Sequence, residues 1–455
     1  MHYLSTRNNQ LNESFLQILF KGLSYDGGLF LPKNWPAINL KDLKGKTYNE
    51  VAHAVIYPFV GNEITNEDLK HIITSTYNNF THPDIAPLVN VENNKYILEL
   101  FYGPTYAFKD YALQFLGQLF SHVLKNINKK ITVLGATSGD TGSAAINAFQ
   151  GRNDIQVFIL HPYKMVSEVQ RRQMTTTNEK NIHNIALKGT FDDCQRIVKN
   201  LFANKELQSK TSLTAINSIN WARIIAQSVY YFWAYLQLDK KSVNFIVPSG
   251  NFGNIFSARI SKYMGLPIDE LHIVTNENDI LHRTISFGDM KIGDVIKTYS
   301  PSMDIQISSN FERQLFESAN RNSNAVKRIM KSFSAKGKET ISGEILKDLQ
   351  SIYITHSVSN DETLKTIKKF RDKNNYLSDP HTATGLNILS KINCNTPTVS
   401  LACAHPAKFS EAIIKAINEK PEMPNILNSL FDCQENMIIL ENDINLVKSH
   451  ILNLI

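Results

Sequence analysis

Most of the chain repeats one pattern: a short apolar run rich in β-branched residues, followed by a stretch whose apolar positions keep helical spacing. Such runs are typical of buried strands, which we expect at 96–101, 131–135, 154–161, 184–187, 243–247, 272–274 and 398–403. Helices are expected between them, at 143–149, 166–175, from 190, at 219–238, at 255–263 and after 409. Strands that alternate with helices in this way predict parallel α/β layers joined by right-handed crossovers.

The first 95 residues follow a different pattern, in which helical spacing and turns prevail. Residues 15–20 keep helical spacing before Gly22, and Asp26-Gly27-Gly28 predicts a sharp turn. We therefore expect a mainly helical N-terminal domain at 1–95, a larger α/β domain built from 96–130 and 215–455, and a smaller α/β domain at 131–214. The polar, turn-rich stretch 288–338 is expected to be a surface excursion.

Composition places the chain among ordinary globular proteins. It has 455 residues, of which 42% are hydrophobic, and a formal net charge of +6. Its 4 cysteines form no C-x-x-C pair, and the chain shows neither a hydrophobic signal segment nor an apolar run of membrane-spanning length. We therefore expect a soluble cytoplasmic protein. Because the lysines are dispersed, we expect small anionic molecules as partners, with no nucleic acid and no membrane.

One lysine, Lys109, follows Gly103-Pro104-Thr105-Tyr106-Ala107-Phe108 at the start of a predicted helix. Thr105 is expected to cap this helix. The positive end of the helix, with the neighbouring rings of Tyr106, Phe108 and Tyr111, would make Lys109 less basic and more nucleophilic than a free lysine. Schiff-base chemistry with a carbonyl cofactor requires such an amine. The alternative is a lysine whose ammonium simply reaches solvent.

Two glycine-bearing loops lie where predicted strands lead into helices, a place that attracts anions. Thr137-Ser138-Gly139-Asp140-Thr141-Gly142 offers hydroxyls and amides for a carboxylate, and Gly250-Asn251-Phe252-Gly253-Asn254 lets the backbone approach a phosphate. Asp140 could pair with a polarised hydroxyl or a protonated imine. The alternative for either loop is simple helix capping. Neither loop matches a P-loop or a dinucleotide-binding pattern.

A third candidate stretch is Asn217-Ser218-Ile219-Asn220-Trp221-Ala222-Arg223, where several donors and one guanidinium could converge on a dianion. The alternative is a capped helix whose arginine pairs with a surface carboxylate. His161, His381 and His405 are possible bases, although packed imidazoles are commoner in such positions. No H-E-x-x-H or G-x-S-x-G motif occurs, so neither a zinc protease nor a serine hydrolase is indicated, and no metal site is expected.

Seven stretches, in the same order along the chain, resemble the threonine synthases, pyridoxal-phosphate enzymes with a tryptophan-synthase-β type of fold. The resemblance implies parallel-sheet α/β layers and the longer subgroup with an N-terminal domain. The stretches are Tyr3-x-Ser5-Thr6-Arg7, Gly22-Leu23-Ser24-x-Asp26-Gly27-Gly28-Leu29, Gly103-Pro104-Thr105-x-Ala107-Phe108-Lys109-Asp110, Thr137-Ser138-Gly139-Asp140-Thr141-Gly142, Asn217-Ser218-Ile219-Asn220-Trp221-x-Arg223, Gly250-Asn251-Phe252-Gly253-Asn254 and Ala404-His405-Pro406-Ala407-Lys408-Phe409.

The resemblance implies a cofactor, pyridoxal 5'-phosphate, held by the larger domain. Lys109 would form the Schiff base, and Asp140 would face the ring hydroxyl, where related enzymes carry Asn. Cys403 stands where the family usually has a Thr bonded to the ring nitrogen, and a thiol is a poorer donor than a hydroxyl. The cofactor phosphate would be held by Gly250, Asn251, Phe252, Gly253 and Asn254.

The resemblance also implies an activity, the conversion of O-phospho-L-homoserine and water to L-threonine and inorganic phosphate, with Lys109 moving protons. The substrate carboxylate would meet Thr137, Ser138 and Thr141 in the smaller domain. The substrate phosphate would meet Asn217, Ser218 and Arg223, with Lys164 and Ser167 as further candidates.

The expected assembly is a monomer or homodimer. Two other functions stay open. A threonine-synthase-like phospholyase would use the same site but release 2-oxobutyrate, ammonia and phosphate. A catalytically silent protein could keep the fold to bind a phosphorylated metabolite.

Overall fold

The computed structural model describes residues 1–238 and 240–455, which form strands and helices throughout. The strands are β1 (Tyr3–Ser5), β2 (Asn8–Glu13), β3 (Phe30–Pro32), β4 (Leu88–Glu92), β5 (Lys95–Glu99), β6 (Ile131–Ala136), β7 (Ile155–Pro162), β8 (Ile182–Lys188), β9 (Ser212–Ala215), β10 (Val243–Pro248), β11 (Ile268–Thr275), β12 (Asp289–Lys291), β13 (Lys338–Thr340), β14 (Tyr353–Ser357), β15 (Thr398–Ala402) and β16 (Ile438–Glu441).

The α-helices alternate with these strands over most of the chain. They are α1 (Phe15–Leu19), α2 (Tyr48–Val60), α3 (Asn66–Tyr77), α4 (Lys109–Ile127), α5 (Asp140–Phe149), α6 (Glu168–Thr175), α7 (Phe191–Phe202), α8 (Lys205–Lys210), α9 (Trp221–Leu236), α10 (Gly253–Tyr263), α11 (Ile280–Phe287), α12 (Phe311–Ser318), α13 (Ser323–Lys336), α14 (Gly343–Ile352), α15 (Asn360–Asn374), α16 (Pro380–Lys391), α17 (Ser410–Ile417), α18 (Asn425–Ser429) and α19 (Ile444–Leu452). None of these described helices is long and apolar enough to cross a membrane.

The larger sheet brings three of the candidate stretches to one edge. Its strand order is β14-β11-β10-β15-β5-β4, and every neighbouring pair is parallel except β4 with β5. The lysine turn follows β5, Cys403 follows β15, and the second glycine loop follows β10. Because the carboxyl ends of adjacent parallel strands meet at the same edge, this order gathers distant parts of the sequence.

The smaller sheet has the order β16-β8-β7-β6-β9, and all its neighbouring pairs are parallel. Its central strands β6 and β7 are almost wholly buried, as their apolar sequences predict. The first glycine loop follows β6 and leads into α5. The expected architecture of parallel α/β layers is therefore confirmed, while the edge strands β9 and β16 were not predicted.

The N-terminal region is helical but not exclusively so. Besides α1, α2 and α3 it contains an antiparallel sheet of order β2-β1-β3. Its apolar side chains merge with those of α4, α9 and the larger sheet into one extensive core. The domain limits stay a prediction, and two strands pair across them: β4 with β5 in the larger sheet, and β16 with β8 in the smaller one.

The expectation of a surface excursion at 288–338 is wrong for α12, although most of residues 289–297 and much of α13 are exposed. This stretch contains α12 and α13, and nearly all of α12 is buried, including Arg313, whose exposed fraction is 0%. Arg313 donates to the carbonyl oxygens of Phe30 at 3.0 Å and Ile219 at 2.7 Å. The polar side chains of α12 bond to other parts of the protein. Polarity in the sequence was therefore a poor predictor of exposure for this helix.

Candidate active site

Lys109 is the first residue of α4, directly after the turn that follows β5. Thr105 does not cap this helix, so that expectation is wrong. Instead the Thr105 hydroxyl donates to the buried Asp110 carboxylate at 2.7 Å, and the Thr105 N–H donates to the same carboxylate at 2.8 Å. Burial raises the pKa of Asp110 to about 6. The turn before the lysine is therefore held by side chains that face inward.

The Lys109 amine is buried among polar groups. Its Nζ lies 3.2 Å from Ser302 Oγ and 3.5 Å from Asp140 Oδ2, with the Phe108 ring centroid 5.2 Å away. Burial lowers the pKa of Lys109, the Asp140 carboxylate opposes that change, and the nearby Lys408 ammonium adds to it. The expected weakly basic amine is thus present, and burial rather than its aromatic neighbours is the main cause.

Asp140 opens α5 and turns its carboxylate toward Lys109. Its Oδ1 lies 2.7 Å from Lys408 Nζ and accepts a hydrogen bond from Gln170 Nε2 at 2.8 Å. Burial alone would raise the pKa of Asp140, but Lys408, Lys109 and His381 together hold it well below its usual range. Asp140 is therefore a fixed anion at the centre of the site.

The first glycine loop leaves some of its hydroxyls unused. Thr137 Oγ1 accepts hydrogen bonds from the backbone N–H groups of Gly139 at 3.0 Å and Gly142 at 2.8 Å, so it orders the loop itself. Ser138 and Thr141 are half-buried, and no described residue hydrogen-bonds their hydroxyls. Those two hydroxyls are available to a ligand, and the role of Thr137 at a carboxylate stays a prediction.

The second glycine loop has the shape of an anion cradle. Phe252 adopts φ 63°, and α10 begins at Gly253 with its first amides facing the loop. A Cβ on Gly250 would lie 3.2 Å from both Ser302 O and Met303 Cα, so a larger residue there would require its neighbours to shift by a few tenths of an ångström. Ser302 thus touches this loop as well as Lys109, and only one residue separates the amine from the cradle.

Asn254 presents an unpaired donor in the same loop. Its Oδ1 accepts hydrogen bonds from the Tyr230 hydroxyl and, at 2.7 Å, from the Tyr231 hydroxyl, which fixes the amide orientation. Its Nδ2 is buried and has no partner among the described residues. A buried donor without an acceptor is costly, and an oxyanion in the cradle would supply one.

Arg223 is a buried cation that has no carboxylate partner among the residues that the structure describes. Its exposed fraction is 2%, its Nη1 donates to Ile216 O at 2.7 Å, and its Nε has no partner in the described part of the chain. Burial lowers the pKa of Arg223 to about 10. The alternative in which this arginine pairs with a surface carboxylate is wrong, and an anionic ligand would complete its environment.

In the stretch before Arg223, Ser218 is linked to the rest of the site, whereas no hydrogen bond within the described part of the chain joins Asn217 to it. Asn310 Nδ2 donates to Ser218 O at 3.3 Å and to Asn251 O at 3.1 Å, and so ties Ser218 to the second glycine loop. Asn217 is exposed at the surface. Asn310 belongs to the stretch that sequence pattern placed on the surface, so no signal identified it beforehand.

Cys403 lies directly after β15, beside the lysine turn. Its carbonyl oxygen accepts a hydrogen bond from Phe108 N at 2.8 Å, and its own N–H donates to Thr382 Oγ1 at 2.8 Å. Burial raises the pKa of the Cys403 thiol well above its ordinary value, and Asp379 adds to that change. The thiol therefore stays protonated and can act as a weak donor.

A second layer of residues that the sequence did not assign holds this site together. His381 Nδ1 lies 2.8 Å from Asp379 Oδ1, so the proton belongs on Nδ1 and Nε2 accepts the Ser302 N–H at 3.2 Å. This series of hydrogen bonds, from Asp379 through His381 to the Ser302 N–H, fixes the segment that carries the Ser302 hydroxyl next to Lys109. Only the Asp-Pro helix start at Asp379 was visible as a signal in the sequence.

Among the described residues, no hydrogen bond joins the other candidate bases and phosphate ligands to the Lys109 amine. His161 is buried, and burial lowers its pKa to about 4. His405 Nδ1 accepts the Ala407 N–H at 3.2 Å, and burial lowers its pKa to about 4 as well. Lys164 is exposed against Tyr163. Ser167 caps α6.

Comparison with known proteins covers nearly the whole chain. The family described as "Threonine synthase N terminus" matches residues 2–77, "Pyridoxal-phosphate dependent enzyme" matches residues 82–329, and "Threonine synthase, C-terminal" matches residues 382–451.

Individual relatives agree with these matches over their full length. The threonine synthase of Pseudomonas aeruginosa is 44% identical over 459 residues, which cover 99% of this chain and 98% of that protein. The threonine synthase of Saccharomyces cerevisiae is 41% identical, with 99% of this chain and 97% of that protein covered. The crystal structure of threonine synthase from Brucella melitensis, described as PLP-bound, has a TM-score of 0.96 at 44% identity and covers 100% of this chain and 99% of that one.

Proposed function

The chain belongs to the threonine synthase family, and from that membership we propose that it converts O-phospho-L-homoserine and water to L-threonine and inorganic phosphate. Pyridoxal 5'-phosphate is its cofactor, and the enzyme is a carbon-oxygen lyase acting on a phosphate ester. This reaction is the last step of threonine biosynthesis. The observation that carries the proposal is a buried amine of lowered pKa, Lys109, together with two buried donor atoms, Asn254 Nδ2 and Arg223 Nε, that have no acceptor among the described residues.

The residues present fit the cofactor. When bound, pyridoxal phosphate supplies an aldehyde that bonds to an amine and a ring that withdraws electrons from the substrate α carbon. Lys109 would be the amine. Asn254 Nδ2, which has no partner among the described residues, would receive the phosphate together with the amides at the start of α10. Gly250, Asn251, Phe252 and Gly253 shape that cradle. Asp140 would face the ring hydroxyl, and the Cys403 thiol would face the ring nitrogen.

Substrate binding divides between two anion sites. The substrate carboxylate would take the Ser138 and Thr141 hydroxyls, which have no described partner, within a loop ordered by Thr137. The substrate phosphate would take the Arg223 guanidinium, whose Nε is buried and unpaired, together with Ser218. Asn217, Lys164 and Ser167 remain further candidates for the phosphate. Holding both ends fixes the α and β carbons relative to Lys109.

Lys109 acts as the base once it is free. Burial lowers its pKa, so a larger neutral fraction is available to remove the α proton and to move protons at the β carbon. Its position beside Ser302 and Asp140 keeps the amine directed into the site. Arg223 stabilises the phosphate as it leaves as a dianion.

The other functions have less support. Threonine synthases match the full length of this chain at 41–44% identity, so a phospholyase that releases 2-oxobutyrate is not favoured. A silent binding protein would have no need for an amine of lowered pKa in this place. The cytoplasmic location, the monomeric or homodimeric state, the absence of nucleic-acid partners and the division into 1–95, 96–130 with 215–455, and 131–214 remain proposals that rest on sequence pattern.

Product analysis tests the proposed function. Purified protein loaded with pyridoxal phosphate is incubated with O-phosphohomoserine, while threonine, phosphate and 2-oxobutyrate are measured in parallel. We expect threonine and phosphate to form in equal amounts. Phosphate accompanied by 2-oxobutyrate without threonine would establish the phospholyase instead, and a protein that binds pyridoxal phosphate but releases no phosphate would favour the silent binder.

A further inference from the structure

A second lysine, Lys408, is buried next to the site although no part of the proposed reaction uses it. It lies in the short turn Pro406–Phe409 after β15, and its side chain has an exposed fraction of 0%. Its Nζ lies 2.7 Å from Asp140 Oδ1 and donates to Thr105 O at 2.7 Å. Fully buried lysines are rare unless they are paired, so this placement calls for a reason.

Asp140 is shared between two amines. Oδ1 contacts Lys408 at 2.7 Å, whereas Oδ2 contacts Lys109 at the longer distance of 3.5 Å. Gln170 completes the environment of Oδ1 at 2.8 Å. The shorter ion pair is therefore the one with the lysine that does not react, and it links the turn after β15 to the start of α5.

Stability of the fold does not explain this pair. Replacing a buried ion pair by apolar side chains of similar volume is often neutral or stabilising, because desolvation offsets the attraction. Lys408 also joins Asp140 to the Thr105 carbonyl, in the turn that leads to Lys109. The two groups that its ammonium contacts, the Asp140 carboxylate and the Thr105 carbonyl, both belong to segments beside Lys109.

We propose that Lys408 is a positioning residue that keeps the Asp140 carboxylate ionised and in place whenever Lys109 carries no positive charge. The inference rests on the proposed function, in which Lys109 is uncharged while it acts as a base. At that moment Lys408 is the remaining amine in contact with Asp140. A buried carboxylate without a cation takes up a proton, which would turn Asp140 from an acceptor into a donor.

The charge balance gives a measurable consequence. With Lys408 present, the Lys109–Asp140–Lys408 group passes from net +1 to neutral when Lys109 loses its proton. Without Lys408 the same step passes from neutral to net −1 in a buried place, which is less favourable. Lys408 therefore promotes the uncharged form of Lys109, in agreement with its lowering effect on the pKa of Lys109.

The first test titrates the site in Lys408→Met, Lys408→Arg and the exposed control Lys420→Met. The absorbance of the bound cofactor is followed against pH, and the rate at which apoprotein forms its Schiff base with pyridoxal phosphate is measured in parallel. In Lys408→Met we expect the transition to move up by about one to two pH units, with Schiff-base formation at neutral pH slowed by about ten- to a hundredfold. Lys408→Arg and Lys420→Met should titrate like the wild type.

The second test asks whether Lys408 acts through the charge of Asp140. In an Asp140→Asn background there is no carboxylate to keep ionised, so adding Lys408→Met should leave only the shift that comes from its direct repulsion of Lys109. That shift should be smaller than the shift in the wild-type background. A wild-type transition in Lys408→Met would overturn the proposal. So would a shift of the same size in both backgrounds, or a lowered thermal midpoint with an unchanged titration.

The proposed function and this inference fail in different ways. If the wild-type protein forms no Schiff base or makes no threonine, the proposed function fails first. If the wild type does both and Lys408→Met titrates like it, only the role of Lys408 fails. Should Lys408→Met not fold, Lys408→Gln, which also removes the charge but keeps a polar side chain, is titrated in its place with the same expectations.

Discussion

At the scale of single residues, Arg223 is the clearest mark of an anionic substrate, because its guanidinium is buried and contacts no carboxylate of residues 1–238 or 240–455. Replacing it with Ala should raise KM for O-phosphohomoserine by about a hundredfold, since a charge-assisted contact contributes about 1.5–3 kcal/mol. The cofactor absorbance should be unchanged. Steady-state kinetics measure the effect, with the exposed Arg196→Ala as control. An unchanged KM would contradict the phosphate assignment.

Lys109 gives the sharpest prediction at the same scale. Lys109→Ala should abolish the absorbance band of the covalently bound cofactor and lower kcat by at least about a thousandfold, because it removes both the amine and the base. Borohydride reduction followed by mass spectrometry should label Lys109 in the wild type and no other lysine. Label on Lys408, the second buried lysine, would show that the two amines have exchanged their assigned roles.

Sequence reasoning identified those site residues that stand in a short, distinctive stretch of the chain. Lys109, Asp140 and Arg223 each stand in a short stretch with an unusual combination of side chains, and the structure brings Asp140 to 3.5 Å from Lys109. Ser302 and Lys408 escaped assignment because their partners come from far along the chain. No local pattern marks a residue whose role depends on a distant partner.

At the scale of elements, α12 connects the N-terminal region to the cofactor cradle. Glu312 on this helix accepts from Thr6 Oγ1 at 2.5 Å and pairs with Arg7 at 2.7 Å. Asn310, just before the helix, donates to Asn251 O at 3.1 Å in the second glycine loop. The turn after β1 therefore supports the helix that holds the loop.

Loss of the Glu312 contacts with Thr6 and Arg7 should affect both stability and cofactor binding. Glu312→Gln should lower the free energy of unfolding by about 2–3 kcal/mol, because it leaves the Arg7 cation without its carboxylate. The bound cofactor should also dissociate several times faster, which gel filtration and absorbance can follow. The exposed Glu344→Gln is the matched control. If Glu312→Gln lowers stability but leaves the rate of cofactor dissociation unchanged, the N-terminal region does not influence cofactor binding.

The elements themselves were largely predictable where apolar periodicity is strong. Strands β6, β7, β10 and β15 and helix α9 lie close to the predicted positions, because each buries a continuous apolar surface. The prediction failed for α12, whose buried side chains include Glu312, Arg313 and Gln314. Charged and amide side chains are usually exposed, so a sequence that contains them predicts a surface position. Their burial here depends on tertiary partners that the sequence alone does not reveal.

At the scale of the whole molecule, buried histidines make stability depend on pH. Burial lowers the pKa of His161 from 6.5 to about 4 in the folded protein, so between these values the unfolded chain binds more protons. Stability should therefore fall as the pH drops from about 6.5 to about 4. His161→Gln should reduce that fall by about 2–3 kcal/mol. Urea unfolding at several pH values measures it, with exposed His71→Gln as control. An unaltered pH dependence would contradict the burial of a neutral imidazole.

The parallel pairing of β16 with β8 has a consequence for biosynthesis. Ile438 lies opposite Ile185, so the ribosome releases this edge strand long after the strands it joins. Until then the nascent chain presents an open β8 edge to its surroundings, and such an edge invites pairing with other chains. Chains arrested on the ribosome before Ile438 should therefore bind chaperones more strongly, and resist protease less, than chains arrested once β16 has emerged.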